Sequence, residues 1–136
     1  MAPSIVWGIG IGLVIAAIDT ALVVGAGAVQ LTDWPIADID FLANVVLYTL
    51  IGFQVGKATG VLRDAAEGGV MAGVLVGAIA IGVTTFVRPP LDSVDPTSTS
   101  SLIRVMAENI ALGGVLSLLS GFLGTRSRQE GPTARR

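Results

Sequence analysis

This sequence contains no cysteine and no histidine, two residues on which much protein chemistry depends. The missing cysteine excludes disulfides, thiol nucleophiles and cysteine-ligated metal sites, and the missing histidine removes the commonest proton shuttle and metal ligand. Charged residues make up only 13% of the chain, aromatic residues 5%, and the formal net charge is -2. We therefore expect no enzymatic activity and no nucleic-acid partner, and the composition indicates no particular cofactor.

Apolar sequence is what the chain has in abundance, at 52% of its residues. Apolar runs at 5–31, 41–56, 66–87 and 102–124 lie near the ~20 residues with which a helix crosses about 30 Å of hydrocarbon. Helices satisfy their own backbone polar groups in lipid. The sequence therefore predicts an all-α, polytopic membrane protein, in which residues 1–124 form one compact bundle of four transmembrane helices.

Short polar segments predict where these helices begin and end. Asp38 or Asp40 is expected to cap the second span, and Asp64 with Glu67 has the spacing of a capping box at the start of the third. Residues 125–136 read as a basic, disordered tail. The small-residue run at 26–28 leaves open that the first span is a cleaved signal peptide, although the run is longer than such peptides need.

The basic residues predict an orientation. With four spans, both termini lie on the same side of the membrane as the connection between spans two and three. Six of the eight basic residues fall on that side: Lys57, Arg63, Arg126, Arg128, Arg135 and Arg136. Cytoplasmic loops carry an excess of Lys and Arg, so we expect both termini to be cytoplasmic in a bacterial plasma (inner) membrane.

Small residues recur at spacings of four in every span, which places them on one face of each helix. They are Gly8 and Gly12 in span one, Gly52 and Gly56 in span two, Gly69, Gly73 and Gly77 in span three, and Gly113, Ser117 and Gly121 in span four. Glycine at such positions lets helix backbones approach closely in lipid. Two interpretations stay open: the stripes pack the bundle itself, or one of them binds another subunit, either a second copy or a larger partner.

Asp19 is the first candidate for a functional residue because it lies inside the first span. An ionised carboxylate at the middle of a membrane costs at least about 2.5 kcal/mol on insertion scales. It is therefore expected to be protonated, paired or in contact with water. One interpretation gives it a single hydrogen bond, to Thr84 or Thr85 of span three, and the other makes it the proton- or cation-binding carboxylate of a small transporter or channel.

Three further polar residues lie at a similar predicted depth. Spans two and four both begin at the same end of the bundle. Asn44 in span two could therefore form a polar cluster with Glu108 and Asn109 in span four. Arg104 and Glu108 are four residues apart on one helical face and are expected to neutralise each other.

Spans two and three also carry a pattern that is shared with other proteins. A glycine-ridged second helix ends in a basic residue, at Gly52, Gly56 and Lys57, and a short turn leads to another Gly-x-x-x-Gly helix, at Gly69 and Gly73. In this pattern the chain resembles small, glycine-rich four-span bacterial membrane proteins of unknown function. The resemblance implies the four-span fold and no activity.

Two other four-span families fit less well. Small multidrug exporters have a carboxylate in the first span, as Asp19 would be, but are richer in aromatic residues than this chain. Fluoride channels have a Thr-Thr-Phe element, which Thr84-Thr85-Phe86 echoes, but the glycine and phenylalanine pattern around it is missing here.

The sequence thus favours a structural or accessory role, in which the protein packs through its Gly-x-x-x-Gly stripes in a homo-oligomer or a larger membrane complex. The alternative is a small ion- or proton-coupled transporter or channel built around Asp19.

Overall fold

The apolar runs form four helices in the part of the chain that the structure describes. The structure, a computed structural model, describes residues 2–29, 35–87 and 98–129, without the side chains of 26–29, 36, 37, 84 and 87. The helices are α1 (Pro3–Val29), α2 (Ile36–Thr59), α3 (Leu62–Val87) and α4 (Thr99–Gln129). Each contains a stretch long and apolar enough to cross a membrane. The predicted all-helical, four-helix bundle is therefore confirmed.

The helix starts differ from those predicted. Helix α2 begins directly after Pro35 with no side-chain cap, and Asp38 lies in its first turn. Helix α3 begins at Leu62, so Asp64 lies within the first turn rather than at the cap. Both predicted caps are wrong, because the helices start earlier than the apolar runs. The two aspartates still lie where the positive end of the helix dipole stabilises a negative charge.

Helix α2 ends in a glycine turn. Gly60 has a left-handed backbone (φ 75°), and its N–H donates to the Gly56 carbonyl oxygen at 2.8 Å. Glycine adopts this conformation without the steric cost that a Cβ imposes. The Arg128 guanidinium donates to the Ala58 carbonyl oxygen at 2.9 Å, so α4 supplies a partner for the last turn of α2.

Helix α4 extends to Gln129, five residues beyond the predicted end of span four at 124. Arg126 and Arg128 lie in its last turn, where basic side chains interact favourably with the negative end of the dipole. The Arg126 guanidinium also lies 4.6 Å from the centre of the Phe122 ring. The remainder of the predicted disordered tail, 130–136, lies outside the described residues.

Neighbouring helices meet at small residues. Along the parallel pair α1 and α3, Gly8 lies against Gly68 and Gly12 against Ala72. Along the parallel pair α2 and α4, Gly52 lies against Ser117 and Gly56 against Gly121. Along the antiparallel pair α3 and α4, Gly69 lies against Gly113, Gly73 against Asn109 and Gly77 against Met106.

Helix α4 makes its largest contacts with α2 and α3, whereas α1 packs on the other side of that pair and scarcely touches α4. The side chains that fill the space between α1, α2 and α3 include Ile11, Ile15, Tyr48, Ile51, Val55 and Val76. Helix α4 contributes only small buried residues, namely Gly113, Ser117, Ser120, Gly121 and Gly124. The bundle therefore combines an ordinary apolar core with a very close approach of α4.

Each small residue of the predicted stripes faces another helix of the same chain. A Cβ added at the glycines among them would in every case meet atoms of a neighbouring helix. By contrast, Cβ atoms added at Gly10, Gly25 and Gly82 would meet nothing within 4 Å. The stripes named from the sequence are thus occupied within the bundle, and the glycines that face outward are different ones.

These contacts predict opposite effects for two Gly→Ala substitutions. Gly52→Ala places a methyl group against the Ser117 backbone and Ser120 Oγ. We expect it to lower the free energy of unfolding by about 1–3 kcal/mol, because the two backbones must separate. Gly10→Ala, which meets open space, should leave stability unchanged or slightly raised. Titration of the purified protein with a denaturing detergent measures the free energy of unfolding of both variants. Equal effects of the two substitutions would contradict the close approach of α2 and α4.

Candidate functional site

Two carboxyl groups share one amide donor near the end of the bundle where α1 finishes and α2 begins. Asn44 Nδ2 donates to Asp19 Oδ1 at 3.2 Å and to Asp40 Oδ2 at 3.5 Å. It also donates to the Asp40 carbonyl oxygen at 3.1 Å. We call Asp19, Asp40 and Asn44 the carboxylate cluster.

Helix geometry explains how the carboxylate cluster forms. Asp40 and Asn44 are four residues apart on α2, so their side chains share one face of that helix. Asp19 reaches them from α1, which runs antiparallel to α2. Asn44 is only 7% exposed, and both aspartates are half-buried. The cluster therefore lies within the bundle, inside the apolar stretches Pro3–Gly25 and Asp38–Thr59.

Two acceptor atoms of the cluster are left without a partner. Asp40 Oδ1 and Asn44 Oδ1 are buried and accept no hydrogen bond in the described structure. A buried acceptor without a donor costs about 1–3 kcal/mol, so each such atom calls for an explanation. The amide oxygen of Asn44 cannot donate, so only a donor or a cation can satisfy it, whereas the carboxyl oxygen of Asp40 can also donate when that group carries a proton.

The negative charge of the cluster is not balanced by a basic side chain of the described residues. The ion pairs among them are Arg63 with Glu67, at 2.8 Å, and Arg104 with Glu108, at 2.6 Å. Neither Asp19 nor Asp40 takes part in them. Two carboxylates close together in a low-dielectric site repel each other, so the cluster favours the uptake of a positive charge.

A second polar contact lies beside the cluster. Tyr48 is fully buried one helical turn after Asn44, and its hydroxyl donates to Asn109 Oδ1 at 3.4 Å. Asn109 Nδ2 donates to the Val105 carbonyl oxygen at 3.0 Å. Tyr48 and Asn109 thus extend the polar region from α2 to α4.

Two openings lead to the cluster from different sides. A groove of about 540 Å³ between α2 and α4 is lined by Asp40, Asn44, Glu108 and Asn109, together with apolar neighbours. A smaller cavity of about 60 Å³ lies beside Asp19 between α1 and α3, and its lining is almost wholly apolar. It is large enough for a water molecule. The wider and more polar opening is the one between α2 and α4.

The structure brings some of the predicted residues together and separates others. Asn44, Glu108 and Asn109 line the same groove, but no hydrogen bond joins them within the described chain. Glu108 instead forms the predicted pair with Arg104, which is confirmed. Asp19 bonds to Asn44 rather than to Thr85, whose hydroxyl donates to the Ile81 carbonyl oxygen of its own helix. The side chain of Thr84 lies outside the described residues.

Sequence reasoning missed two members of this region. Asp40 is named in the sequence analysis only as an alternative to Asp38 for the cap of the second span, although its spacing of four from Asn44 already places the two on one face of a helix. Tyr48 continues the same face by another four residues, and it is the single tyrosine of the chain. A search for polar residues at helical spacing, rather than for single buried charges, would have found both.

The arrangement does not match a conventional metal centre. Among the described residues, no group of three or more carboxylates could hold a metal ion. What the carboxylate cluster offers is two acidic groups, an amide oxygen and access through a polar groove. It can therefore bind a proton or another cation through oxygen atoms.

The chain matches no known protein family, and no curated protein or solved structure matches it either. The resemblance of spans two and three to four-span bacterial proteins stays a prediction.

The shared amide predicts a measurable coupling. Asn44→Leu removes the donor from both carboxyl groups and should lower the free energy of unfolding by about 1–3 kcal/mol. Thr49→Val is the matched control, since the exposed Thr49 hydroxyl bonds only to the Val45 carbonyl oxygen, at 2.7 Å. Detergent-induced unfolding provides the measurement. In an Asp19→Leu background, which has no acceptor at position 19, the effect of Asn44→Leu should shrink, and full additivity would contradict the Asn44–Asp19 bond.

Proposed function

We propose that this protein is a small ion- or proton-coupled transporter or channel whose carboxylate cluster binds the transported cation or proton. The observation that carries the proposal is the sharing of one buried amide donor by Asp19 and Asp40, inside helices that are apolar enough to cross a membrane. Ionisable residues at such positions are costly, and in membrane proteins they mark ion and proton pathways. The proposal includes no catalytic role.

The four apolar helices support a multi-pass membrane location. We place the protein in a bacterial plasma membrane with both termini cytoplasmic, because most basic residues share the end of the bundle that holds the termini and the α2–α3 turn. In this orientation the carboxylate cluster lies toward the outer face, and the α2–α4 groove opens nearest to that side.

A second candidate function is a structural or accessory subunit, in a homo-oligomer or in a larger membrane complex. The observation in its favour is the outward face of α1, where Ala17 and Ala21 line an open groove of about 560 Å³. A Cβ added at Gly10 or Gly25 on the same helix would meet nothing within 4 Å. Small residues at the lipid-facing surface permit close approach by another helix. This role and transport are compatible, since four thin helices enclose little space and a transport pathway could be completed by further copies of the chain.

The orientation can be tested directly because the chain has no cysteine of its own. In intact cells, Ser98→Cys, just before α4, should react with a membrane-impermeant maleimide. Ser127→Cys, near the end of α4, should react only after the membrane is permeabilised. The reverse pattern would place the termini outside and contradict the charge-based assignment.

Transport depends on Asp19 if the proposal is correct. Proteoliposomes with the wild-type chain should pass protons or alkali cations faster than empty liposomes, and Asp19→Asn should slow the flux by about tenfold or more, which corresponds to about 1.4 kcal/mol. Asp38→Asn is the matched control, because Asp38 is an exposed carboxylate of α2 outside the carboxylate cluster. Flux dyes for pH and for sodium give the measurement. A wild-type flux equal to that of empty liposomes would reject transport and leave the accessory role.

A further inference from the structure

We infer that the carboxylate cluster is a binding site for a monovalent alkali cation, Na⁺ or K⁺, which reaches it through the groove between α2 and α4. The inference rests on the proposed function and specifies its ligand. It starts from the oxygen atoms that the structure gathers at Asn44, because these are the ligands that hard cations prefer.

The unpartnered atoms favour a cation over a shared proton. A proton between Asp19 and Asp40 would relieve the repulsion of the two carboxyl groups. It would leave Asn44 Oδ1 without a partner, since that atom needs a donor or a cation of its own. The two unpartnered oxygens, Asp40 Oδ1 and Asn44 Oδ1, belong to side chains that already contact each other, with Asn44 Nδ2 and Asp40 Oδ2 3.5 Å apart. We expect one cation held by both side chains to satisfy the two oxygens.

The amide of Asn44 can serve the carboxylates and the cation through different atoms. Its NH₂ group donates to the carboxyl oxygens, and its Oδ1 has no partner among the described residues. The nitrogen can therefore remain a donor to the carboxylates while the oxygen is a ligand of the cation.

The small number of charged ligands favours a monovalent ion. Ca²⁺ affinity rises with the number of charged ligands and Mg²⁺ requires near-octahedral geometry, whereas the cluster offers two carboxylates and one amide oxygen. Zinc, copper and nickel favour nitrogen or sulfur ligands, and the chain has neither histidine nor cysteine.

The groove between α2 and α4 provides the route. Its lining includes Asp40 and Asn44 of the cluster and Glu108 and Asn109 of α4. Carboxylates along a cleft with low-dielectric walls raise the local concentration of cations. The opening beside Asp19 is apolar and much smaller, so it suits water better than an ion in transit.

The experiment measures cation binding to the full-length chain in lipid nanodiscs. Binding of radioactive sodium is combined with thermal unfolding in NaCl, KCl, MgCl₂ or CaCl₂, with choline chloride keeping the ionic strength constant. We expect sodium to bind saturably and potassium to compete with it for the same site. We also expect the melting temperature to rise with the logarithm of the alkali cation concentration. Asp40→Asn should abolish both effects, and Asp38→Asn should keep both.

A second variant keeps the test decisive if Asp40→Asn fails to fold. Asn44→Asp adds a third carboxylate to the same position and should shift the preference from alkali cations to Ca²⁺, with at least about a tenfold change in relative affinity. An unchanged preference would contradict the role of Asn44 as a ligand.

The outcomes separate this inference from the proposed function. Stabilisation by divalent cations alone, or proton flux that requires Asp19 without any response to sodium or potassium, would overturn the alkali-cation site and leave ion-coupled transport standing. A wild-type protein that neither binds a cation nor passes protons would overturn both.

Discussion

The close approach of α4 to α2 and α3 is the constraint on which the rest of the structure depends. It is possible because α4 buries no large side chain: where it meets α3, Gly113 lies against Gly69, and where it meets α2, Ser117 Oγ donates to the Tyr48 carbonyl oxygen at 2.8 Å. In lipid, where apolar surface has no drive to associate, backbone proximity gives the dispersion contacts that hold helices together. These contacts fix the rotation of α2.

The rotation of α2 in turn positions the carboxylate cluster. Tyr48, Ile51 and Val55 are fully buried on the inner face of α2, and Asn44 lies on the same face one turn before Tyr48. Asn44 is therefore buried because packing deeper in the bundle fixes the rotation of α2. A polar group at this position meets α1 at the level of Asp19. The position of the carboxylate cluster thus follows from the apolar core and the glycine contacts. The cluster lies at the end of the core, where polar residues replace apolar ones.

Hydropathy predicted the number and type of the helices, because both follow from local composition. It did not predict their ends: α2 starts at Ile36 and α3 at Leu62, where polar residues extend a helix that the apolar run alone would not reach. The partner of Asp19 could not be predicted either. Thr84 and Thr85 lie at a sequence position that suits the expected depth of Asp19. Whether Asp19 faces α2 or α3, however, depends on the rotation of α1, which is set by non-local packing. For the same reason, the sequence could not predict which neighbouring helix each glycine stripe contacts.

The carboxylate cluster is hard to explain as a device for stability. A neutral polar contact, such as that of Tyr48 with Asn109, satisfies donor and acceptor and adds specificity to the packing. Among the described residues, the cluster instead has one amide donor for two carboxyl groups, and two of its buried oxygens have no partner. Even a buried ion pair can often be replaced by apolar residues of similar size without loss of stability, and these two acids have no basic partner among the described residues. Packing alone therefore gives no reason for two acids at this position. An excess of acceptors over donors is instead what a cation-binding site requires, because the bound ion then completes the coordination that the protein leaves open.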